Sequence, residues 1–248
     1  TCLRTGEHNG HTRVRGNNLY PLRPEDVTVA EVLKKAGYRT ALIGKWGLGE
    51  PDTTGAPNRK GFDEFFGYTN QRHAHNSYPT FLWRDNQKEA LPNRVPNEDQ
   101  EGAGVSTNRL VYSPDLFISE ALKFIDANRN QPFFLYFAMT LPHANDEAHK
   151  QGMEIPSNEP YSGESWPDPE KNKAAMITRL DHDTGRVLDK LAELGLDRET
   201  IVFFTSDNGP HREGGVDPAF FHSSGPLRGI KRDLFEGGIR VPLLVRWP

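Results

Sequence analysis

The chain has 248 residues and a formal net charge of −4, with 35% hydrophobic residues, 19 prolines and 23 glycines. That length suits one large domain, and the proline and glycine content predicts long polar loops around its core. The charge gives no basic footprint for nucleic acid, no apolar run reaches membrane-spanning length, and the single Cys2 excludes an internal disulfide framework.

Thr1 to Arg23 is polar and turn-rich and carries His8 and His11. Thr28-Val29-Ala30-Glu31 is a capping box that predicts a short helix through Val32, Leu33 and Ala36, closed by Gly37. Tyr38 to Ile43 reads as a strand running into the glycine loop Gly44-Lys45-Trp46-Gly47. Residues 50–112 show no clear element, which is how a functional insertion reads, and they contain His73-Ala74-His75. Ser113-Pro114 opens a helix whose buried face is expected at Leu116, Ile118, Leu122 and Ile125. Pro132 to Met139 is the next expected strand, ending in Thr140-Leu141-Pro142-His143. After a polar excursion at 144–167, a long helix is expected from Pro169 to Leu194, with Met176, Leu180, Val187 and Leu191 on one stripe.

The run Ile201-Val202-Phe203-Phe204-Thr205 then breaks off at Ser206-Asp207-Asn208-Gly209. A buried parallel strand reads this way where it emerges at its C-terminal edge, the edge at which α/β proteins bind ligands. A loop from His211 to Leu227 leads through Arg228-Gly229-Ile230-Lys231-Arg232 to a last strand at Val241 to Trp247. Alternating helices and strands predict an α/β fold, a mostly parallel sheet flanked by helices, with 1–248 as a single domain. Both ends read as cut, Thr1 with no leader and Pro248 at the end of an apolar run, so an internal fragment is expected.

Three expected strand ends carry polar groups: Lys45, His143, and Asp207 with Asn208. Asp207 and Asn208 offer neighbouring carboxylate and amide oxygens, which suit a hard cation such as Ca²⁺, although Asp-Asn-Gly is also ordinary turn chemistry. Lys231 lies on a glycine-flanked loop. A cation, two ammonium groups and an imidazole together bind and polarise a tetrahedral oxyanion ester. Taken singly, Lys45 reads as a solvated lysine, His143 as a loop hydrogen-bonding group and Lys231 as part of a basic face. His73 and His75 lack a third ligand and read as structural rather than zinc-binding, and Asp181-His182-Asp183 reads as helix surface.

These residues resemble the type I, formylglycine-dependent sulfatases, arylsulfatase-like enzymes of the alkaline-phosphatase superfamily. Gly37-Tyr38-Arg39-Thr40-Ala41-Leu42-Ile43-Gly44-Lys45-Trp46 is similar to that family's second signature, and Thr1-Cys2-Leu3-Arg4-Thr5-Gly6 to the tail of its first. Leu141-Pro142-His143, Ser206-Asp207-Asn208-Gly209 and Gly225-Pro226-Leu227-Arg228-Gly229-Ile230-Lys231 follow in family order, then Phe235-Glu236-Gly237-Gly238. The resemblance implies an alkaline-phosphatase-like sulfatase catalytic domain, incomplete at both ends, that hydrolyses carbohydrate or aryl sulfate esters. It implies Asp207 and Asn208 as calcium ligands, Lys45 and Lys231 on the sulfate, and His143 serving the leaving group. Exported enzymes, periplasmic or secreted, are common in the family.

Two departures stand out. Cys2 is followed by Leu-Arg-Thr-Gly, so it is not the cysteine that becomes formylglycine. That nucleophile and the remaining calcium ligands are expected upstream of Thr1, and residues 1–248 alone are expected to be inactive. Gly47 stands where many relatives carry a histidine; either His75 or His11 is the expected stand-in toward the substrate, with His75 preferred, or that step is handled differently. Phosphoester or phosphonate hydrolysis, or a non-catalytic binding role, remains the alternative. The aromatics Tyr78, Phe81, Trp83 and Trp166 suit a sugar or aryl ring, or equally the packing of their own loops.

Overall fold

The structure is a computed structural model, and it describes residues 20–248. His8, His11 and the Thr1–Gly6 block lie outside the described residues. The chain divides into two compact units, the first ending at Leu141 and the second comprising Pro142–Pro248.

In the first unit, helix α1 (Val29–Lys35) starts at the expected capping box: the Thr28 hydroxyl accepts the Glu31 N–H, and the Glu31 carboxylate accepts the Thr28 N–H. Strand β1 (Arg39–Lys45) follows. Residues 50–112 are not structureless, contrary to the expectation. They contain β2 (Glu64–Tyr68), β3 (Phe81–Arg84) and β4 (Gln87–Ala90). These strands are four or five residues long, and β2 holds a glycine, so neither length nor alternation marks them in the sequence. Helix α2 (Ser113–Ala127) and strand β5 (Phe133–Ala138) complete the unit.

The five strands form one sheet in the order β4-β3-β2-β1-β5. Its core is parallel, with β1 paired to both β2 and β5, and the antiparallel hairpin β3–β4 extends it beyond β2. Antiparallel pairing thus takes a larger share than the expected mostly parallel sheet, while the α/β class stands.

Strand alternation decides which helix covers which face. Ala41, Ile43, Phe66 and Tyr68 pack with Phe117, Ala121 and Phe124 of α2. Leu42 and Phe65 point the other way and pack with Ala30 of α1, Leu22, Trp46 and Phe62. The β1–β2 centre of the sheet is therefore a buried layer between two helices. The buried face of α2 runs through Phe117, Ile118, Ala121, Phe124 and Ile125, whereas Leu116 and Leu122 are only half-buried.

The second unit holds α3 (Asp168–Glu193), β6 (Val202–Thr205), the single turn α4 (Glu236–Ile239) and β7 (Leu243–Arg246). The expectation of a buried parallel strand at β6 is not met. β6 pairs antiparallel with β7 in a two-stranded sheet, and its residues alternate between half-buried and exposed. That is the pattern of a strand covered on one face only. Asp183 of α3 is buried instead of surface-lying, and it accepts a hydrogen bond from Arg186 at 3.1 Å.

Candidate active site

Lys45 and His75 belong to the first unit. Lys45 is the last residue of β1, at the C-terminal edge of the parallel strands. Past that edge the Trp46 N–H donates to Tyr68 O and the Gly47 N–H to Thr69 O, so the loops leaving β1 and β2 run side by side. The loop leaving β2 carries the 3₁₀ turn His73–His75, on which His75 is half-buried.

Gly47 has φ +76°, a conformation that disfavours any side chain, and a Cβ built there would lie 2.2 Å from Nε2 of Gln71. The space above the signature loop is filled by the Gln71 amide. Sequence reasoning missed Gln71 because its approach follows from the β1–β2 register, and β2 itself was not legible.

His73 is fully buried, edge-on to Tyr68 at 4.8 Å and 4.4 Å from the ring of Phe81. Its reading as structural holds. Tyr78 is buried against Tyr112, and Trp83 packs on the Leu42–Phe65 cluster, so these aromatics serve their own loops. In the second unit Trp166 stacks on Tyr161 at 5.5 Å and meets Phe221 edge-on at 5.1 Å, with Phe220 and Phe221 both exposed.

The other four expected residues lie in the second unit, and two of them touch. His143 Nε2 is 3.1 Å from Lys231 Nζ, though the two are 88 positions apart. His143 Nδ1 lies 2.7 Å from Ala144 O, and a carbonyl can only accept, so Nδ1 carries the ring proton. Nε2 is then the acceptor, and the Lys231 ammonium donates to it.

Asp207 and Asn208 follow β6 directly. The Gly209 N–H donates to Gly238 O and the Lys231 N–H to Pro210 O, which staples their turn to the loop bearing Lys231. Glycine is required at 209, since a Cβ there would lie 1.8 Å from Gly237 O. Asn208 spends its amide N–H₂ on Gly209 O at 2.9 Å, leaving Oδ1 as an acceptor. Asp207 is exposed, and its carboxylate makes no hydrogen bond or ion pair to the described residues. Two hard oxygen donors side by side fit Ca²⁺ in kind, but Ca²⁺ takes about six to eight oxygens. Among the described residues no group of three or more His, Cys, Asp or Glu side chains could hold a metal ion.

Two further residues complete this cluster, and the sequence reading assigned neither a role. His211 is buried, with Nε2 3.0 Å from Pro142 O, and its ring stacks on that of His143 at 6.2 Å. Glu213 forms ion pairs with Arg232 and, at 3.8 Å, with Lys231, while His211 Nδ1 stands 3.0 Å from its Oε2. Burial pushes the Glu213 carboxyl up, but the contact with His211 and the charges of Lys231 and Arg232 outweigh it and hold the group at about 2. The available signal was a histidine and a carboxylate two positions apart in a proline- and glycine-flanked loop.

Comparison with known proteins places the chain. The family model described as Sulfatase matches residues 1–248. The mouse N-acetylgalactosamine-6-sulfatase is 35% identical over 233 residues, covering 88% of this chain and 39% of that protein. The arylsulfatase of Hemicentrotus pulcherrimus is 33% identical over 242 residues, covering 92% of this chain and 39% of that one. The chain thus spans about two-fifths of the length of these relatives. Among solved structures, Ps i-CgsB in complex with k-i-k-neocarrahexaose superposes with a TM-score of 0.71 at 23% identity, covering 100% of this chain and 54% of that one. The PsFucS1 sulfatase from Pseudoalteromonas sp. gives 0.64 at 23%, covering 96% and 50%. Sequence and fold agree, and the chain belongs to the sulfatase family.

Proposed function

We propose that the protein hydrolyses sulfate esters of carbohydrates or aryl alcohols. The observation that carries this reading is the Lys231–His143 pair at 3.1 Å in a chain of the sulfatase family. Lys231 offers an ammonium to the sulfate oxygens. When it turns to them, Nε2 of His143 is released as the working nitrogen, because Nδ1 is committed to Ala144 O. Nε2 takes up a proton from water, giving the imidazolium, and passes it to the oxygen of the leaving alcohol as the ester bond breaks, which returns the ring to its neutral Nδ1-protonated form. Lys45 on the sulfate is assigned on the family resemblance alone, and His75 toward the substrate on the place of its loop, which leaves the same sheet edge.

Asp207 and Asn208 would hold Ca²⁺, which when bound supplies positive charge to the sulfate oxygens. The formylglycine nucleophile is part of the same reading. The only cysteine, Cys2, lies outside the described residues.

Leaving-group chemistry gives the test. The natural full-length polypeptide is assayed on 4-nitrophenyl sulfate, a sulfated sugar, 4-nitrophenyl phosphate and a phenylphosphonate ester. Sulfate ester turnover, lost on chelation and restored by Ca²⁺, is expected. His143→Ala should slow sugar sulfate, whose alcohol leaves poorly, by roughly 10²-fold or more and nitrophenyl sulfate far less. Turnover of the phosphorus esters alone would replace the proposal with phosphoester or phosphonate hydrolysis.

A further inference from the structure

The residues around Glu213 form a chain of contacts that the sulfatase reading leaves unused. Two backbone carbonyls flank His143 in sequence and fix two imidazoles: Ala144 O takes Nδ1 of His143, and Pro142 O takes Nε2 of His211. Each carbonyl can only accept, so each of these nitrogens carries a proton. His143 is left with a bare Nε2 facing the Lys231 ammonium.

Glu213 faces this arrangement from the other side. Its side chain is 12% exposed, and its Oε1 is taken by Arg232. Its Oε2 is buried and makes no hydrogen bond of good geometry, because His211 Nδ1, though 3.0 Å away, also accepts the Glu213 N–H at 3.2 Å. A buried anionic oxygen in that state draws on a cation within reach. With Arg232 on Oε1, the cation whose ion pair is made with Oε2 is Lys231, at 3.8 Å.

We infer that Glu213 is a positioning residue: its carboxylate, braced by Arg232, holds the Lys231 ammonium against Nε2 of His143. The 3.8 Å separation keeps the lysine in place without a direct hydrogen bond to the carboxylate, so an incoming tetrahedral oxyanion competes for the ammonium with a charge and not with a close contact. His143 keeps one tautomer until that exchange takes place. The consequence for turnover rests on the sulfatase reading; the consequence for the His143 ring does not.

The test is ¹⁵N–¹H long-range NMR of the histidine rings, with ¹³Cε–¹⁵Nζ spectra of lysine, in the wild type and Glu213→Gln. The wild type should show His143 protonated on Nδ1 and Nε2 coupled to an ordered Lys231. Glu213→Gln should move the His143 Nε2 shift, admit the second tautomer and release the Lys231 signal. Should Glu213→Gln not fold, Glu213→Asp withdraws the carboxylate and reads the same coupling at smaller amplitude. Unchanged His143 and Lys231 signals in the variant that folds overturn the inference.

In the full-length protein, Glu213→Gln should lower kcat on a sugar sulfate by roughly tenfold with KM little changed. Equal kcat in an active wild type and in the variant would also overturn it. A moved His143 tautomer in a protein without sulfatase turnover would support the positioning role and sink the sulfatase reading instead.

Discussion

The corner around His73 in the first unit and the corner around Glu213 in the second each contain a buried histidine and are held by opposite means. His73 is sealed among aromatic rings, and neither ring nitrogen makes a hydrogen bond of good geometry. Burial, with the charge of Lys88, pushes its pKa down to about 3, so it stays neutral. His143 and His211 have their ring nitrogens committed to carbonyls, an ammonium and a backbone N–H. The first corner is held by apolar area and reports pH as stability. The second is held by charge and reports it as the state of a site.

The largest expected effect breaks the apolar corner. Phe117 is fully buried on α2 and meets Phe66 and Tyr68 edge-on at 6.1 and 5.6 Å. Phe117→Ala removes the packing beneath β2 and should cost about 3–5 kcal/mol in urea unfolding. A loss under about 1 kcal/mol would mean that the α2 face is not what holds the sheet.

The matching break in the charged corner is Lys231→Ala. It should lower sulfate ester turnover by about 10²–10³ while costing little stability, since Lys231 is only partly buried and is held chiefly through its charge. Comparable kcat in wild type and variant would detach the pair from the chemistry. The same substitution takes one cation from Glu213, so the Glu213 carboxyl should titrate above about 2 in ¹³C NMR.

What the sequence revealed divides along the same line. The capping box at Thr28 and the proline start of α2 were legible because local chemistry alone specifies them. The strand character of β5 was legible from an unbroken apolar run, and that of β1 from Ala41-Leu42-Ile43 closing on a glycine loop. β2 was not, since its five residues become a strand only by pairing with β1, and with it went the contact of Gln71 with Gly47. β6 carries an apolar run that reads as buried, yet its single partner is β7 and Phe203 is 65% exposed. In the site, Lys231 and His143 were legible as separate residues from the family blocks. Their contact across 88 positions was not, and neither was Glu213, whose role exists only where Lys231, Arg232 and His211 converge.

Acid separates the corners next. His73 titrates at about 3 when folded, against about 6.5 in an unfolded chain. Below pH 6.5 the unfolded chain binds a proton that the folded one refuses, so stability is full above 6.5 and falls progressively as pH drops toward 3. Between pH 7 and 5 the loss should be about 2 kcal/mol. His73→Leu should flatten that part of the stability curve by this amount. An unchanged slope would show that the ring is already protonated or solvated in the folded state.

The smallest expected effect asks whether a polar contact matters in the apolar unit at all. The Thr28 hydroxyl accepts the Glu31 N–H at 3.2 Å and donates to Lys60 O at 2.7 Å, while the Glu31 carboxylate returns to the Thr28 N–H at 2.8 Å. One side chain thus caps α1 and ties it to the turn that carries Lys60. Lys60 is buried and donates in turn to Asp26 O at 3.0 Å, so the hydroxyl closes a short polar strap across the end of the helix. Thr28→Ala removes the cap and leaves Lys60 O without that donor, and should cost about 1 kcal/mol. Thr28→Ser keeps both hydrogen bonds and should cost only a few tenths of that. Equal losses in the two variants would assign the effect to the threonine methyl group, and the first unit would then be held by apolar contact even at its helix cap.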